Sequence, residues 1–211
     1  ANAIYAAALG ELRERAAKLP AEVPQAIVIL GDLAQHPVPA TWRLVARSDT
    51  GGLPLCLIPG NHDGRDADWA ARLAETTAAL DDAACRYDGV RGELSLGPWR
   101  ILLLSSLVQG ENWGELGEEQ LAWLDERLAA EPARPTLLAL HHPYVPHPLS
   151  PLLGDAATYA QLHDAAALET LLARHPQVHG ALSGHLHVNW TGTRGGVTQY
   201  IPMRVNTAGV M

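Results

Sequence analysis

The sequence predicts a layered α/β domain in which two β-sheets pack together with helices outside. Three observations lead there. Short apolar runs each stop at Gly, Asn, Asp, Ser or His; amphipathic helical stretches lie between them; two further segments read as antiparallel strands. A length of 211 residues with 47% apolar composition suits one domain, spanning 1–211, with a substantial core.

In residues 2–19, Ile4, Ala8, Leu12, Ala16 and Leu19 share one helical stripe, with Asn2 as N-cap and Pro20 just past the end. Ala26 to Leu30 is a continuously apolar run, as expected of a strand covered on both faces, and it stops at Gly31-Asp32. The pattern recurs from Leu53 to Pro59, which runs into Gly60-Asn61-His62-Asp63, and from Arg100 to Ser106, which ends in polar residues. It recurs again from Thr136 to Leu140 before His141-His142-Pro143, and from Val178 to Ser183 before Gly184-His185-Leu186-His187. Helices are predicted at about 66–80, 117–131 (Leu121, Leu124, Leu128) and 161–174 (Ala165, Leu168, Leu172), the last with Asp164 as its N-cap. Glu93 to Gly97 and Val197 to Met203 resemble antiparallel strands. Residues 143–160 hold Pro143, Pro146, Pro148 and Pro151 and form a long loop.

Composition excludes several function classes. The formal charge is -8, and the only lysine among fifteen basic residues is Lys18, with no basic cluster, so nucleic acid is not an expected partner. No apolar stretch has the roughly eighteen residues of a membrane span. Residues 1–20 carry Glu11, Arg13, Glu14, Arg15 and Lys18, which rules out a signal peptide within them. Cys56 and Cys85 lack C-x-x-C spacing and are expected to be buried or free thiols in a reducing compartment, hence a cytoplasmic protein. Nothing selects between monomer and dimer.

Sites in α/β sheets form outside the carboxyl ends of strands. The loops expected there carry Asp32, Asn61, His62, Asp63, His141, His142, His185 and His187, a set holding five of the ten histidines. Carboxylate and amide oxygens mixed with imidazoles, without thiolate, form a ligand set for Mn, Fe or Zn. If extended, Gly184-His185-Leu186-His187 points both imidazoles to one side of the backbone. The remaining histidines, His36, His147, His163, His175 and His179, have no partner spacing and are expected at the surface or at helix ends. Trp69, Trp113, Trp123 and Trp190 are expected to serve in packing, with Trp190 near enough to His187 to edge the pocket.

The segments GDLAQ, GNHD, ALHHP and SGHLH, in this order, resemble the calcineurin-like metallophosphoesterases. The bacterial class III cyclic nucleotide phosphodiesterases are the nearest branch, because they share the HHP form and the GELGEEQLAWL run from Gly114 to Leu124. The resemblance spans about residues 2–190. It implies a four-layer αββα sandwich with two mixed β-sheets and two divalent metal ions. Asp32 would bridge the ions; Asn61, His141 and His185 would complete one, and His187 would bind the other. His141 is taken as the ligand of the doublet, because it stands two before Pro143, leaving His142 to support it from behind. His62 would be the catalytic acid and Asp63 its orienting partner.

One element of the family pattern is absent. Its first strand ends in D-x-H, and no Asp-x-His occurs in these 211 residues. The family places that strand just before a helix like residues 2–19, so an upstream Asp and His are expected in the parent protein. A single-metal or non-catalytic relative is the alternative, since one ion otherwise keeps only Asp32 and His187. Two divalent ions lower the pKa of a shared water toward about 7, which makes hydroxide the nucleophile. No Ser or Cys sits in a nucleophile elbow. The expected reaction is hydrolysis of a small phosphodiester, a cyclic nucleotide such as cAMP first. Another small organic phosphate is the runner-up.

Overall fold

The computed structural model of the chain describes residues 25–80, 83–153 and 161–202, so the helix expected over 2–19 lies outside the described residues. The β-branched run after Ala26 forms strand β1 (Ile27–Ile29), which pairs in parallel with β2 (Leu55–Leu57). Between them lies helix α1 (Pro39–Ala46), and after β2 comes α2 (Trp69–Leu80). The rest of the chain supplies β3 (Cys85–Tyr87), β4 (Arg91–Leu96), β5 (Trp99–Leu104), α3 (Gly117–Ala130), β6 (Thr136–Leu140), α4 (Ala165–Leu172), β7 (Val178–Leu182), β8 (Trp190–Arg194) and β9 (Val197–Ile201). These seven strands form one sheet in the order β3-β4-β5-β6-β7-β9-β8. Its centre, β5-β6-β7-β9, is parallel, and both edges are antiparallel.

Period-two alternation along the strands explains the layering. In the small sheet Leu55 and Leu57 meet Trp42 and Val45 of α1 and Leu73 of α2, while Cys56 turns the other way. On that inner side Cys56 and Ile58, with Val28, pack against Ile101 and Leu103 of β5, Leu94 of β4 and Ala139 of β6. The opposite face of the large sheet presents Leu102, Leu104, Leu138 and Leu140 to Leu124 and Leu128 of α3 and to Leu168 and Leu172 of α4. The result is helices, small sheet, large sheet, helices: the expected αββα sandwich, with one mixed sheet and, among the described residues, a two-stranded parallel second sheet.

Several expectations need correction. Cys56 and Cys85 are joined by a disulfide, with Cα atoms 5.9 Å apart, rather than being free thiols. The pairing bridges β2 to the edge strand β3 across 29 residues of sequence, a proximity no local spacing reveals. Disulfides are uncommon in reducing compartments, so these cysteines do not support a cytoplasmic setting. Asp164 stands at the N-cap position of α4, but its side chain makes no capping bond there. It accepts from the backbone N–H groups of Leu116 (3.1 Å) and Gly117 (2.9 Å) instead, and so caps the start of the neighbouring helix α3. Helix α1, which opens with Pro39 in its first turn, was not anticipated, and neither were β3 and β8. The proline-rich loop contains a 3₁₀ turn, Ser150–Leu153. His175 is buried just past α4, against Asp125 of α3 at 2.6 Å. Among the described residues no helix is long and apolar enough to cross a membrane.

Candidate metal centre

The carboxyl ends of four parallel strands converge. β1 leads to Gly31-Asp32, β2 to Gly60-Asn61, β6 to His141 and β7 to Gly184-His185. The first two loops touch at their glycines: a Cβ on Gly60 would collide with the Asp32 carboxylate and come within 2.7 Å of the His141 ring. Only glycine lets the backbone approach this closely. Asp63, fully buried, holds the two loops together, its carboxylate accepting from the backbone N–H groups of Asp32 (2.8 Å), Leu33 (3.1 Å) and Gly60 (2.9 Å). Asp63→Ala would leave these donors unsatisfied at about 1–3 kcal/mol for each buried group. The expected loss of stability, measured by urea denaturation, is at least about 3 kcal/mol.

At the focus of these loops four donor atoms crowd together. His141 Nε2 lies 3.3 Å from Asp32 Oδ2, 3.2 Å from Asn61 Oδ1 and 3.3 Å from His185 Nδ1, and the last two atoms are 3.1 Å apart. His141 Nδ1 donates to the Leu30 carbonyl at 2.6 Å, so Nε2 is the ring nitrogen turned toward the cluster and the one that offers a lone pair when the ring is neutral. One or two N–H protons cannot satisfy four electron-rich atoms grouped around His141 Nε2. Donors around a cation bonded at about 2.0–2.2 Å sit about 3.0–3.5 Å apart, so the observed spacings fit a coordination sphere. His142, fully buried, brings a third imidazole: ligand atoms of His141, His142 and His185 lie within 4.8 Å of one another. Its Nδ1 bonds Ser106 Oγ at 2.9 Å, and its Nε2 is buried without a hydrogen-bond partner. An imidazole nitrogen buried beside this cluster adds to its capacity to ligate a cation.

Electrostatics agree. Burial works to raise the Asp32 carboxyl, but the hydrogen bond and charge of His141, with the His62 N–H, outweigh it and hold Asp32 well below the usual carboxylate range. Burial opposes charge on His141, yet the Asp32 carboxylate prevails and raises it. Burial, with His141 and His185 alongside, keeps His142 well below the ordinary imidazole range and therefore neutral. Burial also pushes Asp63 up to about 6, against the pull of its N–H donors, so it is still ionised at neutral pH. Positive charge is thus favoured at the point where Asp32, Asn61, His141 and His185 meet.

The backbone marks the same residues. Among the described residues the non-glycine positions with positive φ are Asp32 (56°), His185 (66°) and His187 (55°), all expected ligands. Such conformations cost about 1–3 kcal/mol each and persist where function holds them. The extended arrangement expected for Gly184-His185-Leu186-His187 is therefore wrong: two left-handed residues, with Leu186 N–H donating to the Gly184 carbonyl at 2.8 Å, make a tight turn. His185 enters the cluster, whereas the exposed His187 stands outside the group of three imidazoles.

His62 is half-buried at the rim. Its backbone N–H donates to Asp32 Oδ1 at 2.9 Å, and its ring Nδ1 donates to the Gln35 carbonyl at 3.1 Å. Gln35 therefore orients the ring, and the bonds of Asp63 go to the loop backbones instead. Sequence reasoning missed the roles of Gln35, which acts through its backbone carbonyl, and of Ser106, which acts through a lone hydroxyl. It also missed Asn112, whose Oδ1 accepts from Asn61 Nδ2 at 3.1 Å. Trp123 and Trp190 pack against the core as expected, while Trp113 stacks instead on His163, 4.1 Å between centroids.

Residues 5–189 match the family model described as calcineurin-like phosphoesterase. The chain is 38% identical over 173 residues to the 3',5'-cyclic adenosine monophosphate phosphodiesterase CpdA of Escherichia coli, covering 80% of this chain and 58% of that protein. It is 35% identical over 181 residues to a cAMP/cGMP dual specificity phosphodiesterase of Mycobacterium tuberculosis, covering 82% of this chain and 52% of that protein. The chain thus spans a little over half the length of these relatives. A dimetal phosphatase from Danio rerio shares the fold with a TM-score of 0.64 at 19% identity, covering 93% of this chain and 78% of that one. By its matched residues, its sandwich architecture and its ordered motifs, the chain belongs to the calcineurin-like phosphoesterase family.

Proposed function

We propose that this chain hydrolyses a small phosphodiester, cAMP or a related cyclic nucleotide first among them, at a centre of divalent ions. The observation that carries the proposal is the meeting of Asp32, Asn61 and His185 around His141 Nε2, each with a donor atom 3.2–3.3 Å from it, and with Asn61 and His185 3.1 Å apart. Family membership implies divalent metal ions, and the relatives named as cyclic nucleotide phosphodiesterases support the substrate class. Asn61, His141 and His185 would hold one ion, Asp32 would be shared, and His187 would serve a second. Mn, Fe and Zn all suit this mixture of oxygen and imidazole donors. Bound cations supply Lewis acidity, which makes water nucleophilic near neutral pH and neutralises phosphoryl oxygens.

The protein's own groups do the rest. Asp63 fixes the two loops in register, so that Asp32 and Asn61 face the same point. The Gln35 carbonyl engages His62 Nδ1–H, leaving Nε2 as the nitrogen that can carry a transferable proton. From the rim of the site, that proton reaches the leaving oxygen, which an alkoxide requires.

The test is turnover of cAMP, bis-p-nitrophenyl phosphate and a phosphomonoester with added Mn²⁺. The diesters should be hydrolysed and the monoester spared. Turnover of the monoester alone would overturn the diesterase assignment in favour of a phosphatase, and no turnover of any substrate by metal-loaded protein would favour a non-catalytic relative.

A further inference from the structure

We propose that Asn112 and Arg65 form a polarity lock that fixes which end of the Asn61 amide faces the metal centre, making Asn112 a positioning residue. The inference deepens the function proposed above and rests on Asn61 being a ligand. Asn112 lies in the loop between β5 and α3, which is closed by the bridge between Leu107 and Gly114. Its Oδ1 is 3.2 Å from Arg65 Nη2 and 3.1 Å from Asn61 Nδ2. Arg65 ends the 3₁₀ turn Asp63–Arg65, four residues past Asn61, so both reach the same atom from one side.

The two ends of an amide are nearly isosteric, and only hydrogen bonding decides between them. Here the decision begins at Arg65. A guanidinium has five N–H donors and no acceptor, so the Asn112 atom facing it must be the oxygen. That oxygen in turn accepts only from a donor, so Asn61 turns its NH₂ toward Asn112. Its carbonyl oxygen is thereby directed at His141 Nε2 and His185 Nδ1.

The lock opposes a real competitor. Because His141 Nδ1–H is committed to the Leu30 carbonyl, Nε2 is the nitrogen that must offer its lone pair to a cation. An Asn61 amide rotated by half a turn would donate its NH₂ to that lone pair, close the site on itself and remove an oxygen ligand. Holding the NH₂ at Asn112 prevents this. Donation of that N–H also polarises the amide and concentrates negative charge on Oδ1, which strengthens it as a ligand. Asn112 is exposed, so its contribution is to orientation rather than to packing.

Calorimetric titration with Mn²⁺ alone, on the wild type and two variants, tests the proposal. Asn112→Leu keeps the shape and removes the acceptor; it should bind Mn²⁺ about 10- to 100-fold more weakly, the usual cost of losing a supporting partner, with an unchanged unfolding temperature. Asn112→Asp keeps an acceptor for both donors and should bind as tightly as the wild type or more tightly. Wild-type affinity in Asn112→Leu overturns the lock and leaves the metal centre standing. Equal weakening in both variants also overturns it, because shape rather than polarity would then matter. A wild type that binds no Mn²⁺ overturns the metal centre and the lock together.

Discussion

His141→Ala should empty the centre of metal and abolish turnover, with a loss of metal affinity exceeding the roughly 10- to 100-fold that a supporting residue alone costs. Its Nε2 lies within 3.3 Å of Asp32, Asn61 and His185, so every other donor of the focus is adjacent to it. Its Nδ1 ties β6 to the end of β1 through the Leu30 carbonyl. Alanine removes both functions and leaves the half-buried Asp32 without its compensating imidazole. Metal content by elemental analysis and affinity by calorimetry provide the check. Retention of stoichiometric metal by the variant would take His141 out of the ligand set.

The second large effect belongs to His62. Replacing it with alanine should lower kcat on cAMP by about 10² to 10⁴, the usual worth of a positioned general acid, while metal content stays at the wild-type level. The ring's hydrogen bond is to the Gln35 carbonyl, and it is the backbone N–H, retained in the variant, that touches Asp32. The chemistry adds a sharper expectation. A nitrophenolate leaves without a proton, so the defect should shrink on bis-p-nitrophenyl phosphate. Unchanged turnover of cAMP, or an equal defect on both substrates, would remove His62 from the role of acid.

The layered fold was legible because alternation and apolar runs are local properties. The run Thr136 to Leu140 is a strand with the expected bounds, and Leu124 and Leu128 bury the face that their helical spacing predicts. Strand ends were legible for the same reason, and with them the meeting of Asp32, Asn61, His141 and His185. What could not be read was contact between distant segments. The disulfide joins residues 29 apart through the approach of β2 to β3, and Asp164 caps a helix that starts 47 residues before it. Backbone conformation was equally hidden: period-two reasoning put His185 and His187 on one side of a strand, whereas left-handed φ values make a turn and separate them. Asp63 stands in a recognisable motif, but its three backbone partners became visible only with the two loops side by side.

The most direct test is anomalous diffraction from crystals of the protein grown with Mn²⁺. The predicted result is a peak bonded to Asn61 Oδ1, His141 Nε2 and His185 Nδ1, with Asp32 in contact at about 2.0–2.2 Å. Manganese bound only elsewhere, with these four side chains unchanged, would contradict the metal centre on which the proposed chemistry depends.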